Sequence, residues 1–159
     1  MSELPLRKRW PTLVLILACT LGSGALVGFL TRDSMAVYSD IVKPSFAPPS
    51  WVFPVAWTIL YAAMSVSLWL MIRKDVPSRA TIVLYVVQLA VNLAWPFVFF
   101  TLQAFGLAFW WLLLLLALVI WLMVRAFRTG LVAAWLLVPY AAWTAFAAVL
   151  SFAVARLNP

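Results

Sequence analysis

Residues 43–61 read KPSFAPPSWVFPVAWTILY. Four prolines, Pro44, Pro48, Pro49 and Pro54, fall in the first twelve positions, and Trp51 and Trp57 stand six apart. Sequence this dense in proline ordinarily marks an exposed linker. Here it runs without a break into an apolar stretch long enough to cross a bilayer, so the stretch divides in two. Residues 43–50 close a loop whose prolines fix φ and lower the entropy of holding one shape. Residues 51–61 open a helix. With Ser50 as its N-cap, Pro54 falls near the end of the first turn, where a missing N–H removes at most about one helix hydrogen bond. Trp51 then marks the membrane interface. Trp57 lies about 9 Å further in at 1.5 Å per residue, deep enough to face a pocket.

The rest of the chain has the same character. Its 159 residues are 67% hydrophobic and 9% charged, with a mean hydropathy of +1.11. A soluble domain of this size cannot hide that much apolar surface. The apolar runs are continuous, whereas a membrane barrel needs alternating segments of about ten residues. The pattern predicts an all-α membrane protein, a five-transmembrane-helix bundle forming one domain over residues 1–159. Its helices are expected near 11–30, 51–73, 79–103, 106–127 and 131–156, with loop 31–50 as a lid. LRKRW at 6–10 resembles the charged start of a signal peptide. The run that follows is about 19 residues, long enough to span, and no small-residue cleavage site follows it, so a first helix is expected there.

The charges set an orientation. Arg7, Lys8, Arg9, Arg73, Lys74, Arg79, Arg125 and Arg128 lie on the N-terminal side of the spans, and only Arg32, Lys43 and Arg156 on the other. The positive-inside rule places the N-terminus in the cytoplasm and loop 31–50 and the C-terminus outward, in a membrane of the bacterial cell-membrane type. The net charge of +7 is thereby a matter of topology and not of nucleic-acid binding. The lone Cys19 leaves no intrachain disulfide and reads as a small core residue. No internal repeat supports an inverted-repeat transporter.

Much chemistry is excluded. The chain has no histidine, and Glu3, Asp33, Asp40 and Asp75 all fall outside the spans. Proton relays and ion pumps need ionisable groups within the membrane. Histidine-ligated haem and the usual zinc sites need imidazole, and acid–base catalysis has no obvious players. No metal and no resident cofactor are expected. What remains is aromatic and neutral polar. Of ten tryptophans, Trp10, Trp51 and Trp135 fit an interfacial belt. Trp57, Trp95, Trp121 and Trp143 lie deeper, where an indole needs a partner for its N–H or a ligand to stack on. Gln88 and Asn92, in VVQLAVNLAW, are spaced i, i+4 and share a helix face. They read either as interhelical glue or as polar anchors of a ligand pocket, and the two are compatible. In WLLVPYAAWTAFAAVLSFAVARLN, Pro139 is expected to kink helix 5, with Tyr140 and Trp143 three apart beyond it. Seven alanines between 133 and 148 leave room for a close helix or a flat ligand. Gly24 and Gly28 form a G-x-x-x-G pair, a helix-contact signature.

KPSFAPPSWVFPVAWTILY, QLAVNLAW on span three, and VPYAAW with a terminal LN on span five together resemble the TspO/MBR family, over about residues 38–158. The resemblance implies a five-helix bundle, often dimeric and set in a lipid bilayer, that binds porphyrins such as protoporphyrin IX. It implies a pocket among helices 1, 2, 3 and 5 beneath the first loop. Carried over by motif, with Tyr140 beside them on helix 5, the candidate ligand-binding residues are Tyr38, Trp57, Gln88, Asn92, Tyr140, Trp143 and Ala147. Trp57 and Trp143 are similar to the pair linked to porphyrin chemistry in that family and are the only catalytic candidates. Three functions are then expected to compete. The first is a tetrapyrrole receptor, carrier or sensor in porphyrin metabolism and stress regulation. The second is a light- and oxygen-dependent porphyrin-degrading enzyme, and the third a structural or sensory subunit acting through a protein partner. Indole faces can sandwich a flat π-system, while Arg32 or Lys43 could pair with its propionates. Phe46 and Ser151 depart from tryptophan and asparagine, common in the family at those places. The forward cholesterol pattern is missing from helix 5, so cholesterol is not expected as the native ligand.

Overall fold

The computed structural model describes residues 10–74 and 79–159. Arg7, Lys8, Arg9, Glu3 and Asp75 lie outside them. Within the described residues the chain is all-α, and five stretches are long and apolar enough to cross a membrane: Trp10–Thr31, Val52–Arg73, Arg79–Thr101, Phe105–Thr129 and Leu131–Leu157. This is the five-helix architecture expected from the apolar runs.

The first span is α1 (Trp10–Thr31). A 3-10 turn (Ser34–Ala36) and the single turn α2 (Val37–Asp40) shape the loop after it. α3 (Val52–Lys74) follows, its first turn closed by Val52 N–H to the Pro49 carbonyl (3.0 Å) and Phe53 N–H to the Ser50 carbonyl (3.3 Å). α4 (Arg79–Pro96) contains its own breaker. Pro96 has no N–H to donate, and the chain continues as a π-helical turn, Phe97–Thr101, beyond which Gln103 turns the backbone with φ 53°. The third span therefore stops at Thr101, short of the expected 103.

α5 (Phe105–Thr129) buries one stripe, Phe105, Ala108, Leu112, Leu115, Val119, Leu122 and Ala126, at spacings of three and four. Its other face carries Trp110, Leu114 and Trp121 outward, where lipid tails are as good a neighbour as another helix. Trp121, expected to need a partner because it lies deep along its span, is instead 58% exposed on this outward face. Cys19 is likewise exposed on α1 and not in the core.

The fifth span is not kinked at Pro139 but interrupted before it. α6 (Leu131–Trp135) ends, Leu136 and Leu137 form a turn, and α7 (Val138–Leu157) begins with Pro139 in its first turn. A proline there costs no helix hydrogen bond, since the first N–H groups of a helix have no partner inside it. Ala133, Ala134, Ala147 and Ala148 are all at most 3% exposed. The alanine-rich span is spent on close approach within the bundle.

Candidate functional site

Helical spacing builds the site. On α3, Phe53, Trp57 and Tyr61 recur every four residues on one inward face. On α4, Asn92 and Trp95 face the same space, and Phe100 joins them from the π turn. On α1, Leu21, Gly24 and Gly28 form the opposite wall. Together they enclose a cavity of about 380 Å³ at the lid end of the bundle. No charged side chain lines it. Among the described residues no three His, Cys, Asp or Glu side chains are grouped to hold a metal.

The two glycines have different work. A Cβ on Gly24 would run into the ring of Tyr61, so α1 and α3 touch there only because no side chain intervenes. A Cβ on Gly28 would meet nothing within 4 Å. The G-x-x-x-G pair is thus half a helix contact and half an edge of the cavity.

Behind the cavity runs a chain of buried hydrogen bonds. The Tyr61 hydroxyl donates to Asn92 Oδ1 (2.8 Å), Asn92 Nδ2 to the Tyr140 hydroxyl (2.6 Å), and the Tyr140 hydroxyl to Gln88 Oε1 (2.7 Å). Three helices, α3, α4 and α7, are tied by four side chains. This is the interhelical bonding that Gln88 and Asn92 suggested. Asn92 also lines the cavity, while Gln88, at 0% exposure, does not. A second tie joins α1 to α4, Thr20 Oγ1 with the Tyr85 hydroxyl at 2.8 Å.

Trp57 is the centre of the aromatic cluster. It stacks on Tyr61 (centroids 5.8 Å, 30°) and meets Tyr140, Trp143 and Trp95 at 6.2, 6.4 and 6.5 Å. Trp57 lines the cavity; Trp143 and Tyr140 lie behind it. Ala147 is buried in α7 and lines nothing here. The indole N–H groups of Trp95 and Trp143 are buried without a hydrogen-bond partner.

Tyr38 supports the roof. It is 4% exposed and sets its ring edge against Phe53 (5.2 Å) and Phe100 (6.5 Å). Its hydroxyl donates to the Pro48 carbonyl (2.8 Å), which closes the proline-rich segment on itself. Lys43 Nζ donates to the Tyr38 carbonyl (2.6 Å) and sits 5.0 Å from that ring. The lid is also fastened from outside. Val42 N–H donates to Asn158 Oδ1 (3.0 Å) and Asn158 Nδ2 to the Val42 carbonyl (2.9 Å), and Thr101 Oγ1 lies 3.2 Å from Ser34 Oγ.

Of the seven residues proposed from the sequence, the cavity brings together Trp57 and Asn92. Tyr38, Gln88, Tyr140 and Trp143 stand one layer behind, and Ala147 stands apart. Sequence reading missed Phe53, Tyr61, Thr58 and Phe100 as lining. The four-residue spacing from Trp57 would have found the first two.

A sequence model of the TspO/MBR family matches residues 15–157. The chain is 34% identical over 154 residues to the tryptophan-rich protein TspO of Chlorobaculum tepidum, covering 92% of this chain and 98% of that one. It is 35% identical over 151 residues to the tryptophan-rich sensory protein of Cereibacter sphaeroides, covering 92% and 90%. With the translocator protein of Homo sapiens it shares 35% over 151 residues, covering 92% and 87%.

Proposed function

The chain belongs to the TspO/MBR family and is an integral membrane protein, and on that premise we propose that it binds a tetrapyrrole such as protoporphyrin IX in the cavity beside Trp57, as a receptor, carrier or sensor. The observation that carries this reading is the aromatic wall. A flat π-system can lie against Trp57, which is already held by Tyr61 and by Trp143 behind it. At about 380 Å³ the cavity falls at the lower end of the usual ligand-site range of about 300–1,000 Å³. A macrocycle would therefore sit with one edge outside it, leaving its propionates near the lid-end headgroups. The uncharged lining suits the ring and not the carboxylates.

The test is a titration of purified protein with protoporphyrin IX, read by tryptophan fluorescence. Saturable quenching is expected. Trp57→Ala should weaken binding by about threefold to tenfold, the effect of roughly 0.5–1.5 kcal/mol of aromatic contact. Trp143→Ala should weaken it less, because Trp57 stands between it and the cavity. Unchanged affinity in a Trp57→Ala/Trp143→Ala double variant would sink the site assignment.

A second reading, porphyrin breakdown driven by light and oxygen, is supported by the oxidisable rings in contact around Trp57. It requires a defined product and repeated turnover under illumination. Equal bleaching by the Trp57→Phe/Trp143→Phe variant would count against it.

A further inference from the structure

Most of the residues around the cavity are buried or half-buried. The exposed ones number four: Ala25 and Gly28 on α1, Pro54 and Thr58 on α3. All four are small, and they face one another across a single seam between two neighbouring helices. At Gly24 the helices are in contact through the Tyr61 ring; four residues on, at Gly28, there is open space. The seam therefore opens from Gly24 toward the lid end.

The hydroxyls along it are already used inside their own helices. Thr58 Oγ1 donates to the Pro54 carbonyl (2.7 Å) and Thr31 Oγ1 to the Val27 carbonyl (2.8 Å). The rim thus presents an apolar edge. Thr58 lies about 9 Å inside α3 and Gly28 about 5 Å inside α1 at 1.5 Å per residue. The opening is at the depth where headgroups give way to acyl chains.

The route from water is built differently. The roof is closed by the Tyr38–Pro48 bond, and its outer edge is fastened through Asn158 to Val42 and through Thr101 to Ser34. We propose that the ligand reaches the cavity sideways, from the bilayer through the seam between α1 and α3, while the lid stays shut. This rests on the reading of the cavity as a site for a flat apolar ring system. Such a molecule with ionised edge groups partitions to this depth, with its ring among acyl chains and its charges among headgroups.

Two measurements decide it. In the first, vesicles preloaded with protoporphyrin IX are mixed with protein in a stopped-flow instrument and tryptophan quenching is followed. Gly28→Phe, or Thr58→Leu should the first variant not fold, is expected to slow both binding and release at least tenfold, whatever change in Kd its place in the cavity wall brings. Asn158→Ala should leave both rates as they were. Unchanged rates of binding and release in the blocked variant, or acceleration by Asn158→Ala, would overturn the lateral route.

The second measurement needs no porphyrin. On a Cys19→Ala background, Phe53→Cys (or Phe100→Cys) places a thiol in the cavity. A bilayer-dissolved alkyl maleimide should label it, at least tenfold more slowly when Gly28→Phe is added. A charged, membrane-impermeant thiosulfonate should label it slowly until Asn158→Ala loosens the lid. Equal labelling by the charged reagent with Asn158 intact, or no effect of Gly28→Phe on the maleimide, would overturn the proposal. Should wild-type protein show no porphyrin quenching, the ligand assignment falls, and the thiol measurement still decides the route.

Discussion

At position 24 the helix pair needs a glycine; at position 28 it does not. Gly24→Ala puts a methyl group against the Tyr61 ring, and overpacking of this kind costs about 1–3 kcal/mol. Gly28→Ala faces open space and should change stability by no more than about 0.5 kcal/mol. Reversible unfolding in mixed micelles is the measurement, and equal effects would show that the contact is misplaced. Tyr140→Phe tests the polar chain in the same way. It strands Gln88 Oε1 and Asn92 Nδ2 in the core. Bonds of this kind within membranes are worth about 0.6 kcal/mol on average and up to about 1.7, so a loss toward the upper figure is expected from the two together. At this scale the sequence was legible in residue type and misleading in residue role. The i, i+4 spacing put Gln88 and Asn92 on one face, but only α7, through Tyr140, decides that one amide is structural and the other also meets the cavity. The two glycines look equivalent in the sequence because the motif records spacing and not what stands opposite.

Elements show where periodicity stops being informative. The span count follows from hydropathy alone, because a membrane demands long apolar runs whatever they pack against. Which face of a span turns inward does not follow, since lipid-facing and helix-facing positions are both apolar; Trp121 on the outward face of α5 is the clearest instance. Proline fixes a missing donor but not its consequence. Pro96 gives way to a π turn, and Pro139 opens α7 after a two-residue break. The lid was legible as a stiff proline-rich cover, whereas its fastening was not, because Val42 and Asn158 are 116 residues apart. That fastening is testable as an element. Asn158→Ala removes two exposed hydrogen bonds, each worth about 0.5–1.5 kcal/mol. Backbone hydrogen exchange across residues 37–48 should accelerate about fivefold or more, with α5 unaffected. Unaltered exchange in the lid would mean that Tyr38 and Lys43 hold it without the C-terminus.

Across the whole molecule, charge and cavity occupy opposite ends. Arg73, Arg79, Arg125 and Arg128 gather at the end of the bundle away from the lid, and Arg32, Lys43 and Arg156 are at the lid end. Lys43 is committed to the Tyr38 carbonyl, and Arg32 lies 3.6 Å from Asp33, so the positive charge at the lid end is partly spent locally. The opposite end keeps the excess that holds a membrane protein on the cytoplasmic side. The positive-inside rule predicts that the cavity opens in the outer half of the membrane. On a Cys19→Ala background, Ser39→Cys in the lid is at an exposed position and Thr129→Cys at the far end at a half-buried one. In intact cells an impermeant maleimide should label Ser39→Cys and spare Thr129→Cys until the membrane is permeabilised. The reverse pattern would place the basic end outside and the cavity in the inner half. A ligand would then have to cross the bilayer before reaching the seam.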